Sequence, residues 1–145
     1  MEFTVSRNSN PASDARRAEI LENPGFGKFF SDHMVRVDWS SEQGWHDARV
    51  IPYGPLDLDP ATNMLHYGQA IFEGLKAYRH SDGGIYTFRP HMNAARMQRS
   101  AARMAMPEIP EDVFVQSLEQ LVEIDAAWVP SKEEQSLYLR PFMIS

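Results

Sequence analysis

The chain has 145 residues and a mass of 16.6 kDa, room for one ordinary domain. Fourteen Lys and Arg against twenty Asp and Glu leave a net charge of −6, so no basic excess exists to neutralise nucleic-acid phosphates. Cysteine is absent, which excludes disulfides, thiolate nucleophiles and zinc–thiolate sites, while 43% hydrophobic residues are enough for a packed core.

Residues 1–24 are polar and charged, with Pro11 and Pro24 and a short helix-compatible stretch near Ala15–Leu21; they are expected to form a poorly packed arm. Without an apolar run near the N-terminus or a span of about 20 apolar residues, a cytoplasmic protein without a membrane segment is expected. Residues 25–145 are expected to be the folded domain. Asn23-Pro24-Gly25 marks a turn, and His33–Trp39 then alternates apolar and polar. Ser40–Gly44 supplies turn residues before Trp45–Tyr53 resumes the alternation, so two strands around a short turn are expected. The prolines of Tyr53–Pro60 make a loop, and a short helical turn is expected before Gly74.

Leu75–Arg79 and Gly84–Phe88 flank Ser81-Asp82-Gly83, a hairpin in which glycine supplies positive φ. Pro90 suits the first position of a helix, where its missing N–H costs nothing. Met92, Ala95, Met97, Ala101 and Met104 recur at roughly helical spacing, and Pro107 and Pro110 end the run. A second helix is expected from about Glu111 to Trp128, burying Val113, Phe114, Leu118, Leu121, Val122 and Ile124. Leu137–Ile144 then reads as one strand. Its apolar end at Ser145 gives the impression of a longer chain cut short. The order suggests an α+β fold: a mainly antiparallel sheet with two helices packed on it.

Gly25-Phe26-Gly27 and Asp82-Gly83-Gly84 lack the spacing of nucleotide-binding loops, and the five scattered histidines do not form a helical zinc pattern. Arg96, Arg99 and Arg103 read as a solvated helix face. Three segments are less ordinary: Leu65–Arg79, Phe88-Arg89-Pro90 and Leu137-Tyr138-Leu139-Arg140-Pro141. An arginine at a strand-to-helix junction suits a phosphate, because its planar fork bonds two oxygens while the helix N-terminus adds N–H groups. Tyr138 and Arg140 share a strand face by period-two geometry and suit a carboxylate beside an aromatic wall. Equally, Tyr67 and Phe72 fit a core, and Arg89 and Arg140 fit strand-end surface positions.

The runs LHYGQAIFEGLKAYR, FRP, NAARMQRSAARM and LYLRPF, with Val122–Pro130 and the earlier FGKFFSDHM, closely resemble branched-chain amino-acid aminotransferases. These are pyridoxal-phosphate enzymes of fold type IV, two-domain and usually homodimeric. The segments stand in the family's order from about Pro24 to Phe142, which implies the small N-terminal domain of such an enzyme. The resemblance implies that Arg89 binds the phosphate of pyridoxal 5'-phosphate. It implies that Phe26, Tyr67, Phe72 and Tyr138 line the side-chain pocket, and that Arg140 receives the γ-carboxylate of glutamate. The implied reaction moves an amino group between leucine, isoleucine or valine and 2-oxoglutarate, in branched-chain amino-acid biosynthesis, with no nucleic-acid or membrane partner.

Transamination also needs a lysine to hold the cofactor and move a proton. Only Lys28, Lys76 and Lys132 are present. The resemblance assigns Lys76 a structural strand position and places the catalytic lysine in a C-terminal domain, so no catalytic residue is expected here and the 145 residues alone are expected to be inactive. Alternatives are a D-amino-acid aminotransferase or aminodeoxychorismate lyase of the same fold type, or a non-catalytic docking module.

Overall fold

The computed structural model describes residues 1–145. Its first sheet joins β1 (Thr4–Val5), β3 (Gly44–Pro52) and β2 (His33–Ser40). Strands β2 and β3 form the antiparallel hairpin the alternation predicts, with a register shift between Arg36 and Asp38. β1 pairs parallel with β3, so the N-terminal segment is not loose. It is tied further by Asn8 N, which donates to His33 Nε2 at 2.9 Å, and by Ala12 N, which donates to Asp32 Oδ1 at 2.9 Å. Between these ties and β2 lies α1 (Asp14–Glu22), N-capped by the Ser13 hydroxyl and burying Ile20.

The core lies elsewhere. β4 (Ala70–Phe72), β5 (Leu75–Arg79), β6 (Ile85–Thr87), β7 (Leu137–Leu139) and β8 (Phe142–Ile144) form two small sheets, β4-β8 and β6-β5-β7. Against one face pack α3 (Pro90–Arg103) and α4 (Glu111–Ile124). Ile71, Leu75, Ala77 and Leu139 from the strands meet Ala94, Met97, Ala101, Val113, Phe114 and Leu118 from the helices. The fold is therefore α+β, with the two predicted helices on mainly antiparallel strands. No helix is long and apolar enough to cross a membrane.

Several boundaries differ from the sequence expectation. The strands divide into three small sheets rather than one. Leu137–Ile144 is two strands, because Pro141 has no N–H to continue the ladder. The short helix before Gly74 is α2 (Asn63–Tyr67), closed by Gly68 at φ 64°, and Ala70–Phe72 is already strand. α4 stops at Ile124 and a 3-10 turn follows over Ala126–Trp128; at the junction the buried Asp125 carboxylate accepts from His33 N and meets its Nδ1. The α3 stripe is phased on Ala94, Met97 and Ala101, whereas Met92 is 48% exposed.

Candidate functional site

The register explains the site. β4 with β8 and β5 with β7 pair antiparallel in one continuous register, interrupted opposite Glu73-Gly74 by Arg140-Pro141. Across the interruption Glu73 N still donates to Pro141 O at 2.8 Å. Strand alternation sends Ile71, Leu75 and Leu139 into the core and turns Phe72, Lys76, Tyr138 and Phe142 to the opposite face. That outer face carries the candidate site.

There Arg140 folds back over its neighbours. Its guanidinium carbon is 5.1 Å from the centre of the Tyr138 ring and 5.2 Å from that of Phe72, and its Nη2 donates to Tyr138 Oη at 3.3 Å. Phe26 meets the Tyr138 ring edge-on at 5.2 Å. Four of the six expected residues thus form one group, an aromatic wall with a cation laid across it. Phe72 and Phe26 are nonetheless 64% and 69% exposed, so the wall faces open space on this chain. Beneath it a cleft of about 290 Å³ is lined by Gly74, Lys76, Tyr78, Phe88, Asn93 and Tyr138.

Tyr67 stands apart. It is 81% exposed at the end of α2, and its ring neighbour is His66. Arg89 lies exposed at the N-terminus of α3, in the left-handed region at φ 49° and ψ 53°, with Pro90 at the first helical position. No side chain caps that helix end. A positive φ on a non-glycine residue costs about 1 kcal/mol or more, and such strain concentrates where a side chain must be aimed.

Sequence reasoning missed two features. Gly74 is required because the Tyr138 ring lies over it: a Cβ there would stand 2.9 Å from Tyr138 Cζ. The second is a buried carboxylate. Glu73, 3% exposed, takes an inward position among apolar neighbours and binds Arg96 through Nε to Oε1 and Nη2 to Oε2, both 2.7 Å. Asn93 Nδ2 adds 2.9 Å to Oε2 and 3.2 Å to Gly74 O. Burial pushes the Glu73 carboxyl up, but the hydrogen bonds from Arg96 and Asn93 outweigh it and hold the group below its ordinary value. Arg96 is correspondingly raised, through its hydrogen bond to Glu73. Arg96, Arg99 and Arg103 are all exposed, as expected for a solvated face, but Arg96 differs in reaching down to grip the buried Glu73. The only available signal was a glutamate breaking the apolar alternation of β4 and β5.

Of the lysines, Lys132 pairs with Glu22 at 2.6 Å, Lys28 is exposed, and Lys76 is an exposed strand residue beside Tyr138.

No family model matches the chain. The branched-chain-amino-acid aminotransferase of Mycolicibacterium smegmatis is 62% identical over 146 residues, covering all of this chain and 40% of its own length. The chain is homologous to branched-chain-amino-acid aminotransferases. The relative from Mycobacterium tuberculosis is 56% identical over the same extent, and a probable one from Streptomyces coelicolor is 56% identical over 94% of this chain. The chain thus spans about two fifths of the length of the curated branched-chain aminotransferases it matches. In structure, it resembles a branched-chain aminotransferase from Thermobaculum terrenum in its PLP form, with TM-score 0.51, 26% identity, and 66% of this chain against 30% of that one. The Escherichia coli enzyme gives TM-score 0.54 at 21% identity, a likeness of fold. The fold is that of the N-terminal portion of these fold type IV aminotransferases.

Proposed function

We propose that the chain is the N-terminal domain of a pyridoxal-phosphate-dependent branched-chain amino-acid transaminase, cytoplasmic and homodimeric when complete, with residues 1–24 as an arm. The observation that carries this reading is Arg140 laid across Phe72 and Tyr138, within a chain 62% identical from end to end to a named branched-chain aminotransferase. Such a pocket must accept an aliphatic side chain and, in the other half-reaction, a carboxylate. Phe26, Phe72 and Tyr138 exclude water around methyl groups, while Arg140 pairs with the γ-carboxylate of glutamate or 2-oxoglutarate; Tyr67, which stands apart at the end of α2, is assigned to the same pocket.

The fit to the cofactor rests on α3. An uncapped N-terminus on a 14-residue helix, with an exposed arginine strained into the left-handed region immediately before it, suits a phosphate group. Arg89 would hold that phosphate through its fork. Pyridoxal phosphate, when bound, supplies the carbonyl and electron-withdrawing ring that amino-group exchange requires. The lysine that moves the proton lies, in this reading, outside these 145 residues.

Two experiments test the reading. The 145 residues replace the equivalent stretch of the M. smegmatis relative, and the chimera is assayed with leucine, isoleucine or valine and 2-oxoglutarate. Transamination is expected; a folded, cofactor-loaded chimera that leaves all three amino acids unreacted refutes the reading. The isolated chain, incubated with pyridoxal phosphate and reduced with borohydride, should show no specifically labelled lysine. Stoichiometric labelling at Lys76, lost in Lys76→Ala, would place the chemistry on this chain instead.

A further inference from the structure

A carboxylate among core positions needs a reason. Glu73, at the interruption between β4 and β5, points inward between Ile71 and Leu75, both buried and apolar. An apolar residue there would serve stability as well, because a buried ion pair recovers little more than its desolvation cost. What the pair supplies is direction. Arg96 grips both oxygens in a fork, Asn93 bonds one of them together with Gly74 O, and all these contacts fall at the interruption of the ladder. Asn93 and Arg96 belong to the opening turns of α3, the helix whose N-terminus carries Arg89. On the strand side the contacts flank Phe72 and Gly74, and Gly74 lies under the Tyr138 ring.

We propose that the Glu73–Asn93–Arg96 cluster is a positioning device that sets the aromatic wall at a fixed distance and angle from the α3 N-terminus. It rests on the aminotransferase reading: with phosphate held at Arg89 and substrate side chain held at Phe72 and Tyr138, the cluster fixes the span between the two anchors. Its three residues touch neither substrate nor cofactor. They act through the backbone at Gly74 and the first turns of α3. With the cofactor held at Arg89, a wall fixed at the right span is preorganised for the substrate side chain; loosening the tie charges the ordering of the wall to binding, so both substrates lose affinity. A bidentate guanidinium fixes an angle as well as a distance, and one ammonium contact fixes only a distance.

The test uses the chimera described above, well below its melting temperature, carrying Arg96→Met, Arg96→Lys or Glu73→Gln. Arg96→Met should raise KM for leucine and for glutamate by roughly tenfold each, with the dissociation constant of pyridoxal phosphate changing less than about twofold. Arg96→Lys should return the melting temperature toward that of the parent yet keep most of the KM defect, a separation that a merely stabilising pair would not produce. If Arg96→Met is folded with the parent's KM for both substrates, or if Arg96→Lys restores stability and KM together, the positioning role is overturned and the aminotransferase reading stands. Should Arg96→Met fail to fold, Arg96→Lys and Glu73→Gln decide by the same criterion. A parent chimera that binds the cofactor without transaminating overturns the reading itself, and this role with it.

Discussion

Replacing Gly74 by alanine isolates the contact between the ladder interruption and the aromatic wall. Gly74 lies outside the left-handed region, so alanine meets no backbone penalty there. The new methyl, however, would collide hardest with Tyr138 Oη, and would stand 2.9 Å from Tyr138 Cζ and 3.2 Å from Cε2, against about 3.5–4.0 Å for carbon atoms at rest. The rigid ring must swing away by several tenths of an ångström or more. Doing so loosens its edge contact with Phe26, worth about 0.5–1.5 kcal/mol, and its exposed cation–π contact with Arg140, worth about 0.5–1 kcal/mol. Lower unfolded-state entropy returns about 0.4–1 kcal/mol to alanine. The net expectation is a loss of about 1 kcal/mol, or about 3–4 °C in melting temperature for a chain of this size. Urea unfolding of the 145-residue chain, followed by circular dichroism, measures it. The decisive arm is the same substitution in a Tyr138→Ala background, where nothing obstructs the methyl and the change should be neutral or stabilising. An equal loss in both backgrounds would refute the stacking of Tyr138 over Gly74.

Arg96→Met should destabilise the chain by about 2 kcal/mol at neutral pH, less than the 3–5 kcal/mol of a fully buried pair because the arginine side chain is 59% exposed. The folded Glu73 carboxyl lies below its ordinary value of 4.5, so the pair's contribution is complete above that pH and fades as pH falls through the lower folded value. Parent and Arg96→Met stabilities should therefore converge in acid, and a gap that is constant with pH would contradict the assignment. In the chimera, Arg89→Ala should weaken pyridoxal phosphate about 10- to 150-fold, the equivalent of about 1.5–3 kcal/mol for a charge-assisted contact, read by absorbance on reconstitution; an unchanged constant returns Arg89 to the surface. Arg140→Leu should reduce kcat/KM for glutamate by about 30-fold and spare leucine, whereas equal losses in single-turnover half-reactions would sink the dual-substrate role.

Local physics wrote much of this protein into its sequence. The β2–β3 hairpin follows from the apolar–polar alternation around Ser40–Gly44, and α3 and α4 follow from 3.6-residue periodicity bounded by Pro90, Pro107 and Pro110. Period two alone put Tyr138 and Arg140 on one face, where they are found in contact. Non-local pairing decided the rest. Pro141, which splits Leu137–Ile144, was visible in the sequence, but that the break falls opposite Glu73, far away in the chain, was not. Arg96 looked like any solvated helix arginine because its exposure is ordinary; only the docking of α3 on the strands brought a buried carboxylate beneath it. Gly74 is likewise unreadable as a spacer until β7 lays Tyr138 across it. Backbone periodicity is a property of neighbours along the chain, whereas the electrostatic and steric fit of Glu73, Gly74 and Arg96 exists only after distant strands have paired.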